Sequence, residues 1–325
     1  MTNDIESIYV PALNKMVSRL GFGCCPMGGN GWGITNEKEL IRAVHTALDY
    51  SINFFDTADI YGIGVSEKVL GRALKAKRDK AVIATKFGVR REYDKTFYDN
   101  SLKWIKQAID LSLSRLQTDY IDLYQIHYWD KKTPIEGIFN ILIDLQKQGK
   151  ILAFGVTNID LVDKSFVQPI DKLASFSFEY SLANRIHESQ IHSVHEKLRL
   201  CFLSWGSLGQ GILSGKYNQN SKFAKNDRRQ HELYCNFYGE KLEQNLRIVN
   251  YIKNILPYYK NKTIVQIAIR WILDRIPFSI ALTGIKRKEQ LIENIGALNW
   301  RLNKEHLAKL CELSDPTGAI SKNES

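Results

Sequence analysis

The chain has few cysteines, and their placement excludes two kinds of scaffold. Five cysteines are scattered among 325 residues, an odd number, and two of them, Cys24 and Cys25, are adjacent. This usage argues against a disulfide framework and is typical of a reducing compartment. No CxxC spacing occurs, so we expect no zinc site built from cysteines, and no metal site of another kind is indicated. We therefore expect a cytoplasmic protein.

Long apolar runs are also lacking. No stretch approaches the roughly 18 consecutive apolar residues that a membrane-spanning helix needs. The stretch MTNDIESIYV at the start of the sequence is polar and acidic, unlike a secretory signal. The sequence predicts no contact with a membrane.

The chain has no basic tail, although its formal net charge is +10. Its densest basic runs are KAKRDK (75–80), KNDRR (225–229) and KRK (286–288). None of them alternates with aromatic residues, as basic segments do in proteins that bind single-stranded nucleic acid. We interpret the first two runs as solvated surface and expect no nucleic acid partner.

Short apolar runs instead alternate with helix-like segments, and no Pro/Gly/Ser-rich linker interrupts them. The runs are almost continuously apolar, as in parallel strands that are covered on both faces. Eight strand–helix units predict a (β/α)8 barrel, with residues 1–325 forming one domain. A doubly wound open sheet is the alternative, but no GxGxxG turn follows the first run. The eight runs are RLGFGC (19–24), INFFDTA (52–58), AVIATKF (81–87), YIDLYQIH (120–127), ILAFGVT (151–157), SFSFEYS (175–181), RLCFLSW (199–205) and FSIALTG (278–284).

Capping signals predict the ends of two helices. Residues 133–136 (TPIE) read as a capping box with Pro134 at the first helical position, and Gly149 stands where that helix should end. Thr263 and Gln266 form a second box.

The regular alternation is interrupted once, by a long segment at roughly 206–238 after the seventh run. Segments of this length are usually lids, binding loops or disordered stretches. Two further helix-like pieces, 287–298 and 304–314, follow the last run. We therefore predict a barrel with a long loop after its seventh strand and extra helices after its last.

Four polar residues collect at the predicted carboxyl ends of neighbouring strands, where barrel enzymes place their active sites. Asp56, Lys86 and His127 each end an apolar run, and Tyr61 follows Asp56 in a loop that contains Gly62. Singly, each has an ordinary structural explanation. Together they suit proton transfer: an ammonium beside a phenol lowers its pKa, a carboxylate holds the ammonium, and a histidine orients a carbonyl oxygen. The group would protonate an oxygen as hydride reaches the adjacent carbon.

The sequence resembles the aldo-keto reductase superfamily over about residues 19–300. In pattern it is most similar to the bacterial soluble reductases and the potassium-channel β-subunits. The resemblance implies a barrel that binds NADP(H) without a Rossmann motif, and it places Asp56, Tyr61, Lys86 and His127 in the catalytic tetrad, with Tyr61 as proton donor. The matching stretches are INFFDTADIYG with GVSEKVLGRAL, KAVIATKFG, DYIDLYQIH, QGKILAFGVTN, SWGSLGQGILSGKY, TIVQIAIRWIL and LTGIKRKEQLIENIGAL.

The same resemblance implies which residues hold the cofactor. Thr157 and Asn158 match the positions that bind the nicotinamide carboxamide, and Trp205 matches the ring that stacks on the nicotinamide. The positions that contact the pyrophosphate and a phosphate are matched by Gly206, Ser207, Leu208, Gly209, Gln210 and Lys216. The positions at the adenosine end of the cofactor are matched by Gly284, Lys286, Gln290, Glu293 and Asn294.

Three departures from the family pattern concern this cofactor site. Ser177 stands where a glutamine usually contacts the carboxamide, so we expect a weaker or water-mediated contact there. Gly206 and Ser207 replace a Ser-Pro pair, which predicts a less rigid start of the phosphate loop, and Thr157 replaces a serine. None of them touches the proposed tetrad.

The leading interpretation is a reductase of a small carbonyl compound. A regulatory subunit that senses NADP(H) is the second hypothesis, and the presence of His127 favours the enzyme over it. A metal-dependent barrel is a third possibility without a supporting cluster. Trp32, Tyr128 and Trp129 are candidate walls of a substrate pocket, and Arg90 and Arg91 are candidate contacts for an acidic substrate. We expect a monomer or a weak homo-oligomer.

Overall fold

The computed structural model describes residues 5–29, 31–161, 172–231 and 234–316. The strands are β1 (Ser7–Val10), β2 (Lys15–Ser18), β3 (Leu20–Gly23), β4 (Phe54–Asp56), β5 (Val82–Phe87), β6 (Val89–Glu92), β7 (Lys95–Tyr98), β8 (Ile121–Ile126), β9 (Ile151–Thr157), β10 (Leu173–Glu179), β11 (Cys201–Trp205) and β12 (Ser279–Gly284). The helices are α1 (Glu37–Asp49), α2 (Val65–Leu74), α3 (Leu102–Leu116), α4 (Ile135–Lys147), α5 (Glu188–Leu198), α6 (Gly239–Ile255), α7 (Ile264–Arg275), α8 (Lys288–Ile295) and α9 (Lys304–Leu313).

Eight of these strands close into a parallel barrel in the order β3-β4-β5-β8-β9-β10-β11-β12. Each contains the centre of one predicted apolar run, so the predicted (β/α)8 barrel is confirmed. The register places Asp56 beside Gly23 and Ala84, and Lys86 beside Gln125. Because the strands are parallel, their carboxyl ends all lie at one mouth of the barrel.

Two hairpins that the apolar pattern does not predict extend the barrel. The β1–β2 hairpin packs Val10, Leu13 and Val17 against side chains that fill the barrel interior, such as Phe54 and Val82. The β6–β7 hairpin directly follows β5 at the opposite, carboxyl end. The first hairpin therefore closes the amino-terminal end of the barrel, and the second stands beside the mouth.

A buried ion network joins the first hairpin to the outer helices. Glu6 accepts hydrogen bonds from Arg270 at 2.6 Å, from Arg19 at 2.7 Å and from the amide of Asn299 at 3.0 Å. Burial by itself would raise the pKa of Glu6, but Arg270, the Asn299 amide and Arg19 together lower it to about 2. Arg270 is fully buried, and the carboxylates of Glu6 and Asp274 together balance its charge.

One predicted capping box is present and the other is wrong. Thr263 and Gln266 bond reciprocally at the start of α7, as the sequence predicts. Thr133, in contrast, donates its hydroxyl to Asp130 at 2.9 Å, and Pro134 is the cap itself rather than the first helical residue. The turn at Asp130 takes this hydroxyl because its carboxylate already accepts the amide of Thr133. Gly149 lies just beyond α4 with φ +73°, in agreement with the prediction.

The predicted long loop and the extra C-terminal helices are also present. Between β11 and α6 the described residues form three short 3₁₀ turns, Gly209–Ser214, Arg228–Gln230 and Cys235–Phe237. Helices α8 and α9 correspond to the two pieces predicted after the last strand. No helix among the described residues is long and apolar enough to cross a membrane.

Candidate active site

The mouth of the barrel holds a buried ion pair. Lys86 donates to both carboxylate oxygens of Asp56 at 2.7 Å and to the carbonyl oxygen of Thr57 at 2.9 Å. Asp56 is 5% exposed and Lys86 is 4% exposed. Burial raises the pKa of Asp56, and the charge and hydrogen bonds of Lys86 oppose that rise. The three N–H groups of the ammonium are thus used within the pair and the adjacent backbone.

Tyr61 lies above this pair, in the loop between β4 and α2. Lys86 Nζ is 5.3 Å from the centre of its ring. Glycine lets this loop pass close to the loop after β3. Gly62 has φ +63°, and a Cβ there would lie 2.4 Å from the carbonyl oxygen of Gly28. Tyr61 remains partly exposed at the mouth, where a substrate can reach it.

The expected lowering of the Tyr61 pKa is wrong for this structure. Burial raises the pKa of Tyr61 well above its ordinary value, and Cys25 and Asp56 raise it further. The physical reason is burial of the phenol, which disfavours the phenolate by more than the ammonium of Lys86, itself bonded to Asp56 and Thr57, favours it. Tyr61 is therefore protonated at neutral pH.

His127 follows β8 directly, and its amide donates to the carbonyl oxygen of Phe87 at 2.8 Å. Its ring meets the ring of Tyr61 edge-on, with centroids 5.9 Å apart and planes at 85°. Burial, and then the charge of Lys86, lowers the pKa of His127 well below its ordinary value. The imidazole is neutral at neutral pH, so it offers one N–H donor and one acceptor.

Three of the predicted nicotinamide contacts form one hydrogen-bonded group with His127. Asn158 donates to the carbonyl oxygen of His127 at 3.2 Å and accepts from the indole of Trp205 at 3.1 Å. Thr157 donates its hydroxyl to the carbonyl oxygens of Ile126 and His127. The side chains at the ends of β9 and β11 are therefore fixed relative to the histidine.

Ser177 and Ser207 use their hydroxyls inside the protein. Ser177 donates to the carbonyl oxygen of Leu203 on the neighbouring strand at 2.7 Å. Ser207 donates to the carbonyl oxygens of Ser204 and Leu282, each at 2.9 Å, and is 1% exposed. These two bonds fix the side chain of Ser207 at the start of the phosphate loop, where the sequence predicts lower rigidity.

The rest of the predicted phosphate loop surrounds Gln210. Its amide donates to Glu179 at 2.7 Å and accepts from Asn236 at 2.6 Å. The turn favours glycine: Gly206 and Gly209 have φ of +67° and +53°, and a Cβ at Gly209 would lie 2.7 Å from the Cβ of Ala183. Leu208, between them, is partly buried in the core. Lys216 lies beyond this turn, and its side chain is exposed.

The predicted adenosine end lies where β12 leads into α8. Gly284 is exposed at the end of the strand. Gln290 accepts the amides of Lys286 at 2.9 Å and Arg287 at 3.2 Å, and Asn294 is buried and donates to Thr283 at 3.0 Å. Glu293 is half-buried on the same helix.

Lys286, at the start of this region, donates to the carbonyl oxygen of Trp32 at 2.6 Å. This contact joins the loops after β12 and β3, and no sequence motif signals it.

The candidate substrate contacts divide into two groups. Tyr128 stacks on His127 at 5.3 Å and on Tyr98 of the β6–β7 hairpin at 4.9 Å, so it stands at the mouth. Trp129 instead donates to the carbonyl oxygen of Thr133. Arg90 is paired with Asp99 and Glu92 and stacks on Trp104, so its charge is already balanced.

Sequence reasoning missed a carboxylate behind the site. Glu67, in the first turn of α2, is fully buried and accepts from Thr85 and from Arg115, each at 2.7 Å. Thr85 precedes Lys86 on β5, so Glu67 links that strand to α2 and α3. Across the described ranges, no three His, Cys, Asp or Glu side chains are grouped as metal ligands.

A closed (β/α)8 barrel with ionisable groups gathered at the carboxyl ends of its strands is typical of a barrel enzyme. The sequence model of the aldo/keto reductase family matches residues 19–315. The chain belongs to the aldo/keto reductase family and is an oxidoreductase.

Individual relatives agree with this assignment. The chain is 33% identical to aldo-keto reductase YhdN of Bacillus subtilis, over 93% of this chain and 92% of that one. It is 31% identical to the Schizosaccharomyces pombe protein named aldo-keto reductase yakc [NADP(+)], over 95% and 94% of the two chains. Its fold is similar to that of a glycerol dehydrogenase from Gluconobacter oxydans, with a TM-score of 0.85, 33% identity and 94% of both chains covered.

Proposed function

We propose that this protein reduces an aldehyde or ketone to an alcohol with NADPH, and catalyses the reverse oxidation. The observation that carries the proposal is the buried Asp56–Lys86 pair beside Tyr61 and His127 at the mouth of the barrel. These four residues are the proposed catalytic group, in a chain that belongs to a family of carbonyl reductases.

Each residue has a role that follows from its surroundings. NADPH, when bound, supplies a hydride for the carbonyl carbon. Tyr61 gives its proton to the carbonyl oxygen, and its raised pKa keeps that proton in place until the oxygen gains charge. Lys86 stabilises the phenolate that remains, and Asp56 holds Lys86 in position. His127, as a neutral ring, donates a hydrogen bond that orients the carbonyl oxygen.

The donors present fit NADP(H) at the ends of β9 to β12. Trp205 and Asn158 supply a flat ring and an amide next to His127, which suit a nicotinamide and its carboxamide. Lys286 is half-buried near Arg229, which is paired with Asp227, and near Arg287, and the net positive charge of this group suits a phosphate. The name of the S. pombe relative, which includes NADP(+), supports the same cofactor.

A turnover assay tests the proposal. Purified protein is mixed with NADPH and a panel of aliphatic and aromatic aldehydes and ketones, and NADPH absorbance is followed. We expect carbonyl-dependent NADPH oxidation, which Tyr61→Phe reduces and Tyr93→Phe does not, because Tyr93 is 99% exposed. Tight NADPH binding without turnover on any carbonyl would contradict the proposal and favour a subunit that senses the cofactor.

A further inference from the structure

One ring nitrogen of His127 takes no part in fixing the ring. Nδ1 is buried and has no hydrogen-bond partner among the residues that the structure describes. The tautomer of a functional histidine is usually set by a hydrogen bond at its second ring nitrogen. The backbone bonds of His127 to Phe87 and Asn158 fix its position in the chain but not the rotation of its ring. Other contacts must therefore fix the plane of this imidazole.

An aromatic column of three rings, those of His127, Tyr128 and Tyr98, supplies these contacts. The ring of Tyr128 stacks on the imidazole, with centroids 5.3 Å apart and planes at 21°. Tyr98 of the β6–β7 hairpin stacks on Tyr128 in turn, with centroids 4.9 Å apart and planes at 10°. Both separations lie in the range in which aromatic pairs attract each other. Rotation of the imidazole out of its plane would lose the first contact, and the second contact keeps Tyr128 in place.

The hairpin that carries Tyr98 is itself fixed to the segment after β8. The amide of Asn100 donates to the carboxylate of Asp130 at 2.9 Å, and the amide of Asp130 donates to the side-chain oxygen of Asn100 at 2.6 Å. Asn100 is fully buried. The amide of Asp99 also donates to the carbonyl oxygen of Gly88, across the base of the hairpin, at 3.0 Å. Tyr98 therefore has a fixed position in the aromatic column, although it is 47% exposed.

We propose that Tyr98 and Tyr128 are positioning residues that hold the imidazole of His127 at the angle that carbonyl reduction needs. The stacked rings prevent the imidazole from turning, so its N–H keeps one direction when a carbonyl oxygen arrives. The inference rests on the proposed function, because it takes His127 as the donor that orients the carbonyl oxygen. Tyr98 acts on the imidazole only through Tyr128, since two successive stacking distances separate the outer rings of the column.

Turnover of propanal with NADPH tests this role, because a three-carbon aldehyde held at His127 does not extend to Tyr98. We expect Tyr98→Ala to lower kcat about three- to tenfold, the factor that one ring pair usually contributes, and to change KM little. Tyr98→Phe keeps the stacked ring and should keep the wild-type kcat. Tyr93→Ala, which removes a tyrosine that is 99% exposed at the tip of the same hairpin, should also leave kcat unchanged.

A double variant separates positioning from contact with the substrate. In a His127→Asn background the imidazole is gone, so Tyr98→Ala should lower kcat no further. A loss that multiplies in the double variant would mean that Tyr98 acts independently of His127, and it would refute the inference. Wild-type kcat in Tyr98→Ala would refute it as well.

The orientation of the ring can also be followed without turnover, by NMR of the protein with isotopically labelled histidine. The imidazole signals of His127 are identified by their loss in His127→Asn. We expect these signals to shift or broaden in Tyr98→Ala and to stay in place in Tyr98→Phe and Tyr93→Ala. Unmoved signals in Tyr98→Ala would overturn the role of the aromatic column even in an active reductase. A wild type that reduces no carbonyl would instead refute the proposed function, and its His127 signals would still decide whether Tyr98 holds the ring.

Discussion

Replacing Lys86 by methionine should destabilise the protein and stop turnover by two separable routes. The substitution leaves Asp56, which is 5% exposed, without its partner. The carboxyl then avoids a buried charge by binding a proton, which at pH 7 costs about 4 kcal/mol for an ordinary pKa of about 3.9. Measured losses for breaking buried ion pairs, about 3–5 kcal/mol, are of the same size.

The stability loss should depend on pH in a direction that the structure fixes. In the variant the pKa of Asp56 is higher in the folded than in the unfolded state. The loss is therefore full at neutral pH and disappears as the pH falls toward the unfolded value. At pH 5 it should be about 1.5 kcal/mol. The double variant Asp56→Asn/Lys86→Met has no unpaired charge and should recover most of the stability at pH 7.

Turnover should not recover in the double variant. Without Lys86 the phenolate of Tyr61 lacks a nearby cation, so we expect turnover to fall by about 10²–10⁴ in both variants. Urea unfolding at pH 7 and pH 5 and the NADPH assay measure the two effects. Wild-type stability of Lys86→Met at pH 7 would refute the buried ion pair, and wild-type turnover in the double variant would refute a catalytic role for Lys86.

Three further predictions follow from the same structure. Tyr61→Phe should lower turnover by about 10²–10⁴ while NADPH still quenches tryptophan fluorescence as in the wild type; retained reductase activity would make Tyr61 only a pocket wall. Glu6→Gln should cost about 1–2 kcal/mol at pH 7, because folding lowers the pKa of Glu6 from 4.5 to about 2 and solvent screens part of that gain at a half-buried carboxylate. That gap between wild type and variant should close as the pH falls from 4.5 toward 2 in urea titrations. Lys286→Ala should weaken NADPH binding roughly tenfold or more and leave NADH binding little changed, and equal weakening of both would oppose the phosphate contact.

The sequence alone determined the barrel, because its signals are local. Each barrel strand is a short apolar run such as residues 81–87, and the periodic spacing of apolar residues in α3 reports one buried face. The candidate site followed from the same pattern. A polar residue at the carboxyl end of a parallel strand must lie at the mouth, so Asp56, Lys86 and His127 were expected together.

Tertiary structure alone decided what depends on partners distant in sequence. The pKa of Tyr61 rises because burial outweighs a lysine whose hydrogen bonds go to Asp56 and Thr57. Thr133 fails to cap α4 because Asp130 takes its hydroxyl. The bond from Lys286 to Trp32 spans 254 residues of sequence. Hydrophobic periodicity records which face of a segment is buried, but it does not record which polar group meets which.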